Sequence, residues 1–324
     1  MPALLEQQFL LETNGLINER LKLIPQKEVG IFAENLLTLA CRHLCISQNA
    51  KRIRPLLCLY YHWMLVLDVD PRFASLGVAA EFIHTASLLH DDIIDEADRR
   101  RGKPSVNHAF GNATAVLAGD FLLTEAFDLL RPFERAISEQ AILVIREMTK
   151  ASILELDMRG KTDVTIEGWR TIAQGKTGAL FSWCGFAVGH FLKDSEAADR
   201  LWRLGHHIGF IFQLADDLKD FHGDNDLKDI CRDIRNLESS LPIILAINQN
   251  YQIKDKFVEA FASGFIDENQ ALILRDLVMR SGALTKASQL LSEELMRALD
   301  ILAIFDKTLG KHRLDRLIDE LTAI

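Results

Sequence analysis

Apolar residues recur every three or four positions along almost the whole chain, which is the period of an amphipathic α-helix rather than the two-residue period of a strand. Helix-breaking glycine, proline and asparagine residues fall between the periodic segments. The pattern predicts helices over 3–23, 31–45, 54–67, 72–95, 113–130, 138–158, 166–191, 196–221, 239–248, 266–278, 281–303 and 307–322. No linker-like stretch divides them, so we predict one all-α domain, a helical bundle over residues 1–324.

Composition narrows the class of protein. The chain is 48% hydrophobic with a formal net charge of −9, a charge that argues against a nucleic-acid partner. Its apolar runs are shorter than the ~18 residues that a membrane span needs, and the acidic N-terminus does not resemble a secretory signal. Five scattered cysteines form no zinc pattern. We therefore expect a cytoplasmic protein with reduced thiols and no transmembrane segment.

The segment HDDIID at 90–95 places acidic side chains at the end of an apolar helix. At 100° per residue, Asp91 and Asp95 share a stripe with Ser87 and His84, and Asp92 flanks it. Carboxylates one turn apart repel each other unless a cation lies between them, and Mg²⁺ or nearby arginine and lysine would serve. The alternative is a frayed helix end with solvated charges.

The segment FQLADDLKDF repeats this arrangement about 125 residues later. One helical stripe carries His206, Gly209, Gln213, Asp216 and Asp220, and Asp217 flanks it. Two DDxxD elements that each end an apolar helix are a stronger indication than one. We expect them to face each other across a cavity and to share metal ions that bind a ligand with several anionic oxygens, such as a diphosphate.

Cationic residues suited to such a ligand occur in two places. Lys51 and Arg54 are three residues apart at the start of a helix, and Lys176 precedes Thr177 within a predicted helix. Each alone could be a surface lysine or arginine whose stem covers apolar atoms. Together with the two acidic elements they indicate two anion sites.

These segments resemble the trans-isoprenyl (polyprenyl) diphosphate synthases through most of the chain. FIHTASLLHDDIIDEADRRRGKPS and FQLADDLKDF are similar to the family's two aspartate-rich regions, and KRIRP, LAGDFLL and GKT fit its other blocks in order. The resemblance is closest to the longer-chain bacterial members. It implies an all-α bundle around a deep central cavity and a homodimer. It also implies Mg²⁺-dependent head-to-tail coupling of an allylic diphosphate to isopentenyl diphosphate, with three Mg²⁺ ions when diphosphate is bound.

The resemblance also implies roles for individual residues. The expected metal ligands are Asp91, Asp92, Asp95, Asp216, Asp217 and Asp220. The expected ligands of the allylic diphosphate are Arg100, Lys176 and Lys228. The expected ligands of isopentenyl diphosphate are Lys51, Arg54, His84 and Arg101. Thr177 and Gln213 would turn oxygen atoms toward the reacting carbons, so that Lys176, Thr177 and Gln213 form the catalytic group.

Chain length should depend on the tunnel beneath the metal ions. Ser87 lies one turn below Asp91 and Ala86 lies beside it, where short-chain members tend to carry aromatic rings. Small side chains leave room there, because a phenyl ring adds far more volume. We expect a product of twenty carbons or more.

The chain departs from the family pattern around the second acidic element. Leu227, Cys231 and Leu237 stand where the family carries glycine, Glu238 stands where it carries lysine, and Asn49-Ala50 replaces two glycines. Three alternatives to a self-sufficient synthase therefore stay open: a partner-dependent subunit of a heteromer, a non-catalytic member, or a terpene cyclase. A cyclase needs no isopentenyl site, so it is disfavoured by the retained residues Lys51, Arg54, His84 and Arg101.

Overall fold

The computed structural model describes residues 2–22, 31–47, 50–68, 70–222 and 231–323. Within these ranges the chain is almost entirely helical, so the predicted all-α class is confirmed. The helices are α1 (Pro2–Lys22), α2 (Ile31–Cys45), α3 (Ile53–Leu65), α4 (Ala74–Ile94), α5 (Val106–Phe110), α6 (Asn112–Leu130), α7 (Arg135–Met158), α8 (Ile166–Ala173), α9 (Ala179–Phe191), α10 (Ser195–His222), α11 (Arg232–Arg235), α12 (Leu241–Gln249), α13 (Tyr251–Ala262), α14 (Glu268–Arg280), α15 (Ala283–Leu302) and α16 (Leu309–Thr322). None of the described helices is long and apolar enough to cross a membrane.

The structure differs from the predicted helix pattern in several places, and the short helices α5 and α11 lie outside the predicted ranges. The single helix predicted over 166–191 is interrupted by a π-helical turn, Gln174–Gly178, that joins α8 to α9. Helix α13 was not predicted, although Ile253, Phe257 and Phe261 are buried at four-residue intervals. A two-residue antiparallel hairpin, β1 (Arg99–Arg100) and β2 (Lys103–Pro104), follows α4.

The chain divides into two compact units. Unit 1 comprises Met1–Ile142, Cys184–Leu201 and Lys307–His312. Its central helix is α4, which packs against α1, α3 and α6 and buries residues around most of its circumference, as its nearly continuous apolar sequence predicts. The first acidic element lies at the C-terminal end of α4. A single domain over residues 1–324 stays a prediction.

Unit 2 comprises Leu143–Trp183, Trp202–Asp306 and Arg313–Ile324. Helix α12 lies at its centre and packs against α8, α13, α14 and α15, and each residue from Leu241 to Ile247 is buried. Ser240 precedes α12, and Pro242 occupies its first turn, where the missing amide hydrogen costs no hydrogen bond. The second acidic element lies near the C-terminal end of α10.

Candidate active site

The first acidic element keeps its helical register to the end of α4. Asp95 is the C-cap residue, and its backbone N–H donates to the Asp91 carbonyl at 2.8 Å. Asp91 is half-buried, Asp95 is exposed and Asp92 is buried. Asp91 and Asp95 therefore stand one turn apart at a surface that water or a ligand can reach, as the stripe predicts.

Asp92 is held by the hairpin that follows α4. The Arg100 guanidinium donates to Asp92 Oδ1 from Nε at 2.7 Å and from Nη2 at 2.5 Å. The other oxygen, Oδ2, is buried and has no hydrogen-bond partner among the described residues. Burial raises the pKa of Asp92, and the bond from Arg100 opposes that rise. Arg100 thus orients the Asp92 carboxylate, whose second oxygen receives no hydrogen bond from the described residues.

Four arginine side chains act electrostatically on His84, which is two turns before Asp91. Burial lowers the pKa of His84 well below its usual value, and the charges of Arg54, Arg101, Arg100 and Arg52 lower it further. The imidazole is therefore neutral at physiological pH, and the positive charge of the site belongs to the guanidinium groups. Such a concentration of cations suits an anionic ligand, which supports the predicted grouping of Arg54, His84 and Arg101.

Arg52 has a structural role that was not predicted. Its guanidinium lies 2.7 Å from Glu81 of α4, with both side chains almost fully buried, and also donates to Asn14 and to the Cys45 carbonyl. Because Arg52 is the N-cap residue of α3, this ion pair ties the start of α3 to α4. It thereby fixes the backbone on either side, which carries Lys51 and Arg54. Lys51 itself is exposed.

In unit 2, glycine brings α10 against the π-helical turn. A Cβ atom on Gly209 would lie 2.3 Å from the Gly178 Cα atom, so no larger residue fits without moving the backbone. One turn later, Gln213 Oε1 accepts a hydrogen bond from Thr177 Oγ1 at 3.3 Å. The close approach therefore joins two of the predicted catalytic residues, Thr177 and Gln213. π-helical turns within α-helices are frequent at functional sites.

The three aspartates of the second element have different surroundings. Asp217 is buried and accepts from Trp169 Nε1 at 2.8 Å, Leu241 N at 3.0 Å and Gln213 Nε2 at 3.0 Å. Burial raises the pKa of Asp217 to about 7, although these donors oppose the rise. The Asp216 side chain is about half exposed (51%) and lies 3.4 Å from Arg232. Asp216 is therefore the acid most accessible to a metal ion.

Asp220 accepts hydrogen bonds from the first residues of α11. Its carboxylate accepts from the backbone N–H groups of Arg232 at 2.9 Å and Asp233 at 3.2 Å. Burial is the main cause of its raised pKa, and these two hydrogen bonds oppose it. The metal-binding roles of Asp217 and Asp220 stay predictions, and their geometry favours a role in positioning the surrounding chain.

Lys176 lies within the π-helical turn and is paired. Its Nζ atom is 2.5 Å from Glu155 Oε2 of α7, and both side chains are about one-quarter exposed. The pair orients the ammonium group while leaving part of it accessible. Glu155 was not predicted, because its partner is 21 residues away and local periodicity carries no information about that contact.

In the segment 231–238, which departs from the family pattern, two residues adopt backbone conformations that glycine adopts more readily. Cys231 (φ 60°) and Leu237 (φ 59°) both adopt left-handed conformations. Glu238 lies 3.7 Å from Arg159, and Gly160 N donates to the Leu237 carbonyl at 2.8 Å. The negative charge that replaces the expected lysine is thus partly offset by Arg159. Leu227 and Lys228 lie outside the described residues, as does Asn49.

The carboxylates of the two acidic elements supply oxygen atoms, the type of ligand that Mg²⁺ prefers. Among the described residues, no three histidine, cysteine, aspartate or glutamate side chains converge closely enough to hold a metal ion by themselves. Mg²⁺ prefers oxygen ligands and is commonly held by one or two carboxylates, with water and substrate phosphates completing the coordination. Within each acidic element, accessible carboxylates fit that mode of binding: Asp91 and Asp95 in the first element, and Asp216 in the second.

Comparison with known proteins identifies the family. Residues 34–274 match the family described as polyprenyl synthetase. The chain belongs to the polyprenyl synthetase family. It is 30% identical over 292 residues to an all-trans-nonaprenyl-diphosphate synthase (geranyl-diphosphate specific) of Rhodobacter capsulatus, with 89% of each chain covered. The predicted enzyme class, a prenyltransferase of the trans-polyprenyl diphosphate synthase type, is confirmed.

Solved structures of polyprenyl synthetases agree in fold. A decaprenyl diphosphate synthase from Rhodobacter capsulatus has a TM-score of 0.89 at 25% identity, covering 99% of this chain and 97% of that one. A polyprenyl synthase from Caulobacter crescentus, complexed with calcium and isoprenyl diphosphate, has a TM-score of 0.87 at 27% identity, covering 100% and 97%. The match extends over essentially the whole chain.

The residues predicted to set chain length lie on α4. Ala86 is buried (1% exposed), and Ser87 is half-buried. The Ser87 hydroxyl donates to the His84 carbonyl at 2.8 Å, so its polarity is satisfied within the helix. Both side chains are small, and their effect on product length stays a prediction.

Proposed function

We propose that this polyprenyl synthetase couples an allylic diphosphate to isopentenyl diphosphate, head to tail, to give a trans-polyprenyl diphosphate of twenty carbons or more. The observation that carries the proposal is the group of arginines around His84, next to the first acidic element. An enzyme that only ionises one diphosphate needs no second cationic site. The names of the relatives, which include nonaprenyl and octaprenyl diphosphate synthases, support a long product.

We assign the allylic diphosphate to the acidic elements. Asp91, Asp95 and Asp216 have accessible carboxylates, Asp92 contributes its free oxygen, and three Mg²⁺ ions are expected with diphosphate bound. When bound, Mg²⁺ neutralises the charge that grows on the leaving diphosphate. In this proposal Arg100 and Lys176 also bind the allylic diphosphate through their positive charges. Lys228, which lies outside the described residues, has the same proposed role.

Thr177 and Gln213 act on the carbon atoms. The Thr177 hydroxyl donates to Gln213 Oε1, so the remaining lone pairs of Thr177 are free to stabilise an allylic cation. Arg54, Arg101 and neutral His84 hold isopentenyl diphosphate with Lys51, and its double bond attacks the cation. The proton that is then lost can pass to the departing diphosphate, so no side-chain base is needed.

A homodimer and a cytoplasmic location complete the proposal. Val116 and Leu117 are exposed on α6, and an association between two copies would cover such apolar surface. The five cysteines are buried free thiols, which suits a reducing compartment.

A partner-dependent subunit is the second candidate. Glu238 and the left-handed Cys231 and Leu237 favour it, because they change the charge and backbone preference of the segment after the second acidic element. A second subunit could supply the positive charge that the family carries in that segment and that Glu238 replaces here.

One assay tests these candidates. The purified protein is incubated with Mg²⁺, labelled isopentenyl diphosphate and geranyl, farnesyl or geranylgeranyl diphosphate, and the products are sized. Extension to twenty carbons or more supports the proposal, and no extension with any primer contradicts it for the protein alone. Turnover restored by a second subunit from the source cell would favour the heteromer, and cyclic hydrocarbons made from a primer alone would indicate a cyclase.

Two aspartate variants sharpen the assay. Asp91→Asn removes an accessible carboxylate of the first element and should abolish extension. Asp98→Asn is the matched control, because its side chain is 85% exposed and lies just beyond that element. Equal losses in both variants would contradict the assignment of Asp91.

A further inference from the structure

We propose that Trp169 is a positioning residue for the prenyl transfer step, acting through Asp217 and Gln213 on Thr177. The inference rests on the proposed roles of Thr177 and Gln213 and adds the residue that orients them. Trp169 lies in α8, is 5% exposed and donates its indole N–H to Asp217 Oδ2 at 2.8 Å. The bond joins residues 48 positions apart in sequence.

Both oxygens of the Asp217 carboxylate accept hydrogen bonds from protein donors. Oδ2 receives the indole N–H of Trp169 and the backbone N–H of Leu241, and Oδ1 receives the amide group of Gln213. Two donors from separate segments thus fix the carboxylate plane. A carboxylate so placed orients its remaining neighbour rather than offering oxygens to a metal ion.

The orientation of Gln213 follows from this carboxylate. The Gln213 Nε2 amide donates to Asp217 Oδ1, and the Gln213 Oε1 atom therefore faces Thr177. The Thr177 hydroxyl hydrogen is directed to Gln213 Oε1 as a result. The lone pairs of Thr177, and not its hydrogen, are then available to the electron-poor carbon.

Packing holds the Trp169 ring independently of its N–H group. The ring lies edge-on to Phe210, with centroids 5.1 Å apart, and the Arg170 guanidinium lies 4.9 Å from the Phe210 centroid. A phenyl ring at position 169 would keep an aromatic contact with Phe210. Trp169→Phe therefore removes the hydrogen bond while preserving much of the packing.

Steady-state kinetics test the role of the N–H group. Trp169→Phe should lower kcat about 10-fold, on the scale of one buried hydrogen bond, while both diphosphate KM values change less than about 3-fold. Trp63→Phe is the matched control. The buried Trp63 Nε1 atom has no hydrogen-bond partner among the described residues, and this variant should keep kcat within about 2-fold.

A double-mutant cycle separates positioning from general loosening. If Trp169 acts through Gln213, Trp169→Phe should cause no further loss of kcat in a Gln213→Leu background. Additive losses, a loss expressed mainly as raised KM, or an equal fall in the Trp63 control would overturn the inference. A wild-type protein that extends no primer would instead contradict the proposed function.

NMR tests the same coupling without turnover. In ¹⁵N-tryptophan-labelled protein, Gln213→Leu should shift the indole N–H resonance of Trp169, assigned by its absence from Trp169→Phe, and leave that of Trp63 in place. An unmoved Trp169 resonance would overturn the inference even in an inactive or poorly folding series.

Metal binding gives a further test. Mn²⁺ affinity measured with inorganic diphosphate should fall in Asp216→Asn and stay within about 3-fold of wild type in Asp217→Asn. An equal fall in both variants would also overturn the inference.

Discussion

Replacing Arg100 with glutamine should reveal a structural role in addition to its proposed role in substrate binding. Arg100 makes two hydrogen bonds to Asp92, whose side chain is 1% exposed. The variant leaves that carboxylate buried without its cation. A raised KM for the allylic substrate is expected from the loss of the guanidinium, but that result alone would not distinguish the two roles.

The magnitude follows from the burial of the pair. Breaking a fully buried ion pair by removing one partner costs about 3–5 kcal/mol. The Arg100 side chain is 32% exposed, so water can partly replace it. We therefore expect the free energy of unfolding to fall by about 2–3 kcal/mol at pH 8. Adding Asp92→Asn removes the unpaired charge and should recover about half of the loss.

The pH dependence gives the sign of the effect independently. Burial raises the pKa of Asp92 above its unfolded value, so folding favours the protonated acid and stability declines as pH rises above the unfolded pKa. Without Arg100 the folded pKa rises further. The deficit of Arg100→Gln should therefore be larger at pH 8 than at pH 5.

Urea unfolding at a fixed protein concentration measures these differences. Arg99→Gln is the matched control, because Arg99 is the exposed neighbour in the same strand and its guanidinium donates to the Gly102 carbonyl rather than to a buried carboxylate. It should change stability by less than about 0.5 kcal/mol. The reasoning fails if both arginine variants lose equal stability, or if Asp92→Asn deepens the deficit.

Three further predictions concern other charged groups. Glu81→Gln breaks the buried pair with Arg52 and should lower the free energy of unfolding by about 3–5 kcal/mol in urea; a loss under 1 kcal/mol would contradict its tethering role. Glu238→Lys should lower the KM for the primer. It should also lower the melting temperature, because it places a like charge beside Arg159, and adding Arg159→Glu should restore the melting temperature. The ¹⁵N resonances of His84 should show neutral imidazole from pH 8 to 6, without a titration near 6.5.

Much of the fold and part of the site could be predicted because they depend on local geometry. The 3.6-residue period identifies most helices, and it places Asp91 next to Asp95 whatever surrounds α4. The same rule puts Gln213 one turn from Asp217, a contact that the structure has at 3.0 Å. Residues three or four apart on a helix are neighbours in any tertiary context, so these relations need no knowledge of the rest of the chain.

The hydrogen bonds and ion pairs that the site residues make depend on segments far away in sequence. Asp217 receives donors from residues 48 and 24 positions away, Lys176 pairs across 21 positions, and Arg52 meets Glu81 across 29. No periodicity relates such residues, because packing alone brings them together. The six aspartates of the two acidic elements look alike in the sequence but have different surroundings in the folded chain. Asp91, Asp95 and Asp216 remain accessible, whereas Asp92, Asp217 and Asp220 are buried and oriented by their neighbours.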